Sequence, residues 1–192
     1  MNQMKIFLIL SCFFLIQFIS ADINISGNKN EGYKIEKNII TFFKDGNYYI
    51  SGIDFDKSII INCFCQIYLS DLTLISRGSL TPIVIEKNYT VTLTLEGESL
   101  LLDSDKNENE GVIYLREESE LIIIGQTYCD INKCYYNGIL NLIPNKLYGI
   151  KGENSTSIIW NGPYLKIVST SYNAGGIYVG KNIIFEYCNF FL

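Results

Sequence analysis

Ile83-Val84-Ile85-Glu86-Lys87-Asn88-Tyr89-Thr90-Val91-Thr92-Leu93-Thr94-Leu95-Glu96-Gly97-Glu98-Ser99-Leu100-Leu101-Leu102 holds three short apolar runs separated by two polar breaks. From Val91 to Leu95 the aliphatics fall on one face and the threonines on the other, the two-residue period of a strand with one side buried. The breaks carry Asn and Gly, which close strands by tolerating positive φ or by hydrogen-bonding their own backbone. The stretch predicts three strands and two turns, with the second strand starting eight residues after the first, at 91 against 83.

The same unit recurs on both sides. Ile59-Ile60-Ile61 precedes Ile67-Tyr68-Leu69, Ile113-Tyr114-Leu115 precedes Leu121-Ile122-Ile123, and Gly149-Ile150-Lys151 precedes Ile158-Ile159-Trp160, each at an offset of eight. First strands start 24, 30 and 37 residues apart, and a shortened copy, Gly176-Ile177-Tyr178-Val179, begins 27 residues after the fourth. A third strand follows in Gly162-Pro163-Tyr164-Leu165-Lys166-Ile167, which shares the pattern G-x-x-L-x-[LI] with Gly97 to Leu102; Asn137-Gly138-Ile139-Leu140-Asn141-Leu142 is a looser copy.

Repeats of this length, built from strands and turns without a 3.6-residue period, describe a solenoid in which each copy adds a strand to a parallel sheet. The expected fold is all-β, a single-domain right-handed parallel β-helix of about five rungs over residues 22–192, its hand set by the bias of parallel crossovers. An antiparallel sandwich or barrel is the alternative, since short strands at regular spacing also describe one. Ile59, Ile83, Ile113, Ile150 and Ile177 are expected in one inward column, and Leu69, Leu93, Ile123, Trp160 and Phe185 in another, which assigns Trp160 to the core.

Residues 1–21 stand apart. Lys5, the apolar run Ile6 to Ile19 and then Ser20-Ala21 describe a secretory signal peptide. The run is shorter than the roughly 20 residues of a spanning helix, which disfavours an uncleaved anchor. Phe13 and Phe14 extend it past Ser11-Cys12, against a lipoprotein reading. Nothing later is long enough to cross a bilayer. The mature chain is therefore expected to be secreted and extracellular, not membrane-spanning after signal removal.

Composition excludes several chemistries. The net charge is −5, and removing Lys5 with the leader leaves 14 basic residues against 20 acidic ones. A mildly acidic chain whose only arginines are Arg77 and Arg116 has no electrostatic footprint for nucleic acid. There is no histidine, hence no histidine base, no histidine zinc ligand and no Ser-His or Cys-His nucleophile. Three sequons, at Asn24, Asn88 and Asn154, are candidate N-glycosylation sites of a eukaryotic secreted protein, the last two in turns between first and second strands. Beyond the leader lie Cys63, Cys65, Cys129, Cys134 and Cys188. Cys129 and Cys134 flank four residues in an irregular segment and are candidates for a local disulfide. Cys63 and Cys65 share a strand face, which suits burial or a bond to another rung.

The stretch Asp45-Gly46-Asn47-Tyr48-Tyr49-Ile50-Ser51-Gly52 resembles the G-x-Y-x-x-S-G opening of the carbohydrate-binding β-helix domains first recognised in cellulolytic clostridia. Ile67 to Leu74, Pro82 to Ile85, Thr92 to Ser99, Gly149-Ile150-Lys151-Gly152 and Gly176-Ile177 are similar to that family's later rungs. The resemblance spans about residues 33 to 187 and implies a pectate-lyase-like β-helix that binds polysaccharide or cell-surface glycan, including acidic sugars, often with calcium and without demonstrated cleavage. Fewer turn glycines and aspartates, and the cysteine loop, set this chain apart, so calcium is not carried over to named ligands.

Sugar rings present C–H faces that pack on aromatic planes, and their hydroxyls pair with charged and amide groups. Alternation places Tyr114, Lys151 and Tyr178 in one outward column with Val84, the candidate carbohydrate-binding residues; solvent-facing tyrosines are also ordinary strand formers. Asp103, Asp105, Glu108 and Glu110 gather the oxygen ligands that calcium prefers, but their spacing does not match an EF-hand, and an acidic solvated loop is the simpler account of them. Asp54 and Asp56 share a strand face and could form an acid/base pair. Three functions follow: a non-catalytic carbohydrate-binding protein, a polysaccharide lyase or glycoside hydrolase on the same scaffold, or a structural or adhesive surface protein that self-associates through its C-terminal rung.

Overall fold

The computed structural model describes residues 23–27, 31–104, 109, 111–129, 134–145, 148–162, 164–168 and 175–186; the signal peptide expected at 1–21 lies outside them. Alternating sequence yields strands in chain order: β1 (Ile23–Gly27), β2 (Tyr33–Glu36), β3 (Ile39–Phe42), β4 (Gly46–Asp54), β5 (Ser58–Ile61) and β6 (Cys65–Ile75). Next come β7 (Ile83–Ile85), β8 (Thr90–Glu96), β9 (Glu98–Leu102), β10 (Gly111–Leu115), β11 (Glu120–Cys129) and β12 (Cys134–Asn137). The last are β13 (Ile139–Ile143), β14 (Tyr148–Gly152), β15 (Ser157–Asn161), β16 (Tyr164–Ile167), β17 (Ile177–Tyr178) and β18 (Asn182–Glu186). No helix occurs among the described residues.

First strands make one sheet, ordered β17-β14-β10-β7-β5-β3-β2. Second and third strands share a larger sheet whose main path is β16-β13-β9-β6-β8-β11-β15-β18. All its pairings along this path, and those from β3 to β17 in the first sheet, are parallel. The result is an all-β fold with a curled parallel sheet, compatible with a β-solenoid and unlike an antiparallel sandwich.

The aliphatic column of first strands runs Ile40, Ile59, Ile83, Ile113, Ile150 and Ile177, in register. It contains one strand more than the copies read from the sequence, because Ile39–Phe42 already forms a first strand. From Ile40 to Ile150 each member is at most 1% exposed, so each excludes water from the space between the sheets.

The second column differs from expectation at one place. Leu93 pairs with Ile67 rather than Leu69, and Leu69 pairs with Leu95. The offset of eight holds only where Glu86 to Tyr89 and its counterparts lengthen the turn; between β5 and β6 the link is two residues shorter, so Cys65 stands opposite Val91. Each longer turn has one residue at positive φ in the same place, Asn88 at 69°, Glu118 at 60° and Ser155 at 62°. The turns are stacked, with the Asn88 N–H donating to the Glu117 carbonyl and the Glu118 N–H to that of Asn154. Trp160 is 2% exposed and lies between Ile123 and Phe185, as its register demands.

The third strands correct the G-x-x-L-x-[LI] alignment by one residue. Leu101, not Leu100 or Leu102, pairs with Leu142 and through it with Ile167. Ser99 consequently takes an inward position, 1% exposed, and its Oγ accepts the Leu72 N–H at 3.2 Å. A buried hydroxyl is tolerated because that bond satisfies it. The segment around the cysteine loop is also more regular than expected: β12 pairs antiparallel with the end of β11.

The N-terminal end is closed. β1 and β2 lie antiparallel on β4 and β3, breaking the parallel series. Tyr33 packs on Phe42 at 5.8 Å between centroids, and Phe42 on the fully buried Tyr48 at 4.5 Å. The Tyr48 hydroxyl donates to the Gly32 and Lys44 carbonyls, so the ring that covers this end of the core keeps its polar tip satisfied.

Candidate functional site

On the outer face of the first sheet, one residue beyond each inward isoleucine, the register sets Val84, Tyr114, Lys151 and Tyr178 side by side. Tyr178 is 53% exposed, while Tyr114 and Lys151 are half-buried. Adjacent parallel strands are about 4.8 Å apart, so Tyr114 and Tyr178 stand roughly 10 Å apart with Lys151 between them.

Two neighbours complete the patch. Tyr148 meets the Tyr178 ring at 5.6 Å and 35°, and Lys151 Nζ lies 5.9 Å from the Tyr148 centroid, within cation–π range. Glu153 accepts the Tyr114 hydroxyl on Oε1 at 2.6 Å and the Glu117 N–H on Oε2 at 2.9 Å. The Tyr114 hydrogen bond is the chief reason that the Glu153 carboxyl titrates below its usual range; burial works the other way, while the Glu117 amide and the Arg116 and Lys151 charges reinforce the lowering.

Sequence reasoning missed both neighbours. Tyr148 has the parity of inward Ile150, so alternation assigns it to the core, yet it opens β14, where the chain is still leaving the corner. Glu153 was detectable: three residues after the inward isoleucine, successive repeats carry Glu86, Arg116 and Glu153, an acid-base-acid column. Arg116 Nε is 3.1 Å from Glu86 Oε2. No family model, curated protein or solved structure matches this chain. The chemistry of the patch therefore has to be read from its own side chains: three phenol rings, a lysine and a fixed carboxylate on one solvent-facing surface.

The other candidate residues are dispersed. Asp103 is fully buried, and its Oδ1 accepts the Asn145 N–H while its carbonyl accepts Asn145 Nδ2 at 2.6 Å, a staple between two inter-rung connections. Asp105, Glu108 and Glu110 lie outside the described residues. Among the described residues no three Cys, Asp or Glu side chains converge to hold a metal. Asp54 is buried and occupied by the Asp56 and Lys57 N–H groups and by Lys57 Nζ, so it caps a turn rather than facing Asp56 across a cleft.

Cys63 and Cys65 are buried free thiols, with Cys65 registered between Gly46 and Val91 rather than beside a cysteine of another rung. A hydrogen bond between the two thiols lowers the Cys63 pKa and, together with burial, raises that of Cys65. Cys129 and Cys134 are direct register partners across β11 and β12. Asn24 is exposed on β1, and Asn88 and Asn154 are exposed in the stacked turns.

A second aromatic pair, Tyr49 and Tyr68, stacks face to face at 4.4 Å and 11° on the larger sheet. Each ring gives one face to the other, and Tyr49 stays 47% exposed. That arrangement stabilises neighbouring strands.

Proposed function

We propose that this chain is a secreted, non-catalytic carbohydrate-binding protein with a right-handed parallel β-helix fold, and that it holds a glycan on the outer face of the first-strand sheet. The observation that carries this reading is the column Tyr114, Lys151 and Tyr178, widened by Tyr148 and edged by Glu153. Tyr178, the most exposed ring, supplies a plane for the C–H face of a pyranose; Lys151 supplies donors for hydroxyl or carboxylate oxygens; Glu153, fixed by two hydrogen bonds, presents an acceptor that does not need to be ordered on binding. The resemblance of the Gly46 to Gly52 segment to carbohydrate-binding β-helix domains supports the same class of ligand.

The test is a glycan array probed with the mature protein, with calcium and again with chelator. Binding to one group of polysaccharides is expected, and Tyr178→Ala should weaken it about tenfold, the equivalent of about 1.4 kcal/mol. No signal under either condition refutes the proposal. Incubation with pectin, cellulose and chitin separates it from a lyase or glycosidase: release of products assigns the chain to the enzymes.

A further inference from the structure

The corner between first and second strands carries aromatic side chains where a solvated turn would ordinarily be polar. Phe43 follows β3 and is 47% exposed; Phe64 precedes β6 and is 52% exposed. The Phe64 ring meets Tyr89, in the next turn, edge-on at 5.1 Å between centroids. The backbone beneath it is pinned, since the Phe64 N–H donates to Asp45 Oδ1 at 2.9 Å. Tyr89 is half-buried and packs against the core, so the pair is a fixed surface from which the Phe64 ring still meets water.

Immediately before Tyr89 stands Asn88, exposed, at positive φ, with its N–H held by the Glu117 carbonyl at 3.2 Å. Asn88-Tyr89-Thr90 is a sequon. The other two acceptors have different settings: Asn24 lies on β1 opposite Ser51, and the Asn154 carbonyl takes the Glu118 N–H in a turn that begins with Glu153. Asn88 is the acceptor whose own turn contains half of an exposed aromatic pair.

We infer that Asn88 carries an N-linked glycan whose innermost N-acetylglucosamine packs on the Phe64–Tyr89 pair. The attachment point removes the entropy cost that a free sugar would face, and the ring face gains a permanent apolar cover. The modification marks the corner as an outer edge of the protein, one turn away from Glu153, since Glu117 accepts the Asn88 N–H and donates its own to Glu153. It rests on residues 1–21 acting as a leader and is independent of whether the Tyr114–Tyr178 face binds sugar.

The experiment expresses the full chain in a eukaryotic secretory host and maps glycopeptides before and after enzymatic removal of N-glycans. Asn88 should be occupied. Thermal melts then compare the secreted protein with Asn88→Gln, each with Phe64 and with Phe64→Ser. Loss of the glycan should lower Tm by about 2–4 °C when Phe64 is present, and the loss should vanish in the Phe64→Ser background. A chain that stays outside the secretory pathway, or leaves it with Asn88 bare, overturns the inference; so does an equal Tm loss in both backgrounds.

Discussion

Glu153 shows how one side chain can serve both the fold and the candidate site. Its two oxygens tie the hydroxyl of Tyr114 and the amide of Glu117, joining β10 and the turn after it to the rung that Glu153 itself belongs to. Its carboxyl is held below the ordinary value of 4.5. A carboxylate with a depressed folded pKa contributes stability that is present above its unfolded pKa and lost as pH falls through the folded value. Glu153→Gln should therefore lower stability near neutrality by on the order of 1 kcal/mol, the modest figure for a charge-assisted bond that water still reaches. Melts from pH 7 to pH 3 check this: the gap between the wild type and the variant should close on the acid side. A gap that is constant with pH would mean that the side chain acts through packing alone.

At the scale of elements, the corner between β8 and β9 depends on one glycine. Gly97 has φ of +66°, and a Cβ there would lie 2.0 Å from Asp71 Oδ1, the oxygen that accepts the Glu98 N–H. Gly97→Ala should cost about 2 kcal/mol by combining left-handed backbone strain with displacement of Asp71, visible as a Tm fall of about 4–8 °C. Asp71→Ala combined with Gly97→Ala should cost less than the sum of the two single changes, because the clash is then absent. The hairpin of β11 and β12 carries a different prediction. Cys129 and Cys134 are opposed in antiparallel register, a relation whose Cα separation suits a disulfide. Peptide maps, without reductant, of the protein expressed through a eukaryotic secretory host should show these two residues linked, and a free thiol at either position would exclude the bond. The strands were legible because alternation writes burial directly into sequence: Ile113-Tyr114-Leu115 announces its inward and outward sides without help. Register was less so. The six-residue spacing from Ile59 to Cys65, and the slip that turns Ser99 inward, are set by corner backbone geometry, and no side-chain pattern records how many residues a corner consumes.

For the whole molecule the two ends of the coil are unlike, and that asymmetry restricts the third function read from the sequence, assembly through the final rung. At the N-terminal end β1 and β2 reverse direction, and their edge carries Lys34 and Glu36, charges that discourage further pairing. At the other end the last described strands leave inward-column residues open: Ile183 is 40% and Phe185 44% exposed, where Ile158 and Trp160, their partners one rung earlier, are buried. Head-to-tail growth would have to pair the final rung with that first end, whose edge strand is blunted by Lys34 and Glu36. Association through the open end is then expected to be isologous, the same rung of one copy against that of another, which closes as a dimer and does not propagate. Sedimentation at increasing concentration should show monomer passing to dimer and no larger species, and Phe185→Lys should hold the protein monomeric without unfolding it, since this ring already sits half in water. A concentration-independent monomer would remove assembly as a function of this surface, whereas filaments would show that the antiparallel cap opens. Neither result touches the outward tyrosines, so a glycan-binding monomer and a glycan-binding dimer remain distinguishable by avidity: the dimer should bind a polymeric ligand far more tightly than a single oligosaccharide, provided that its two faces reach one chain.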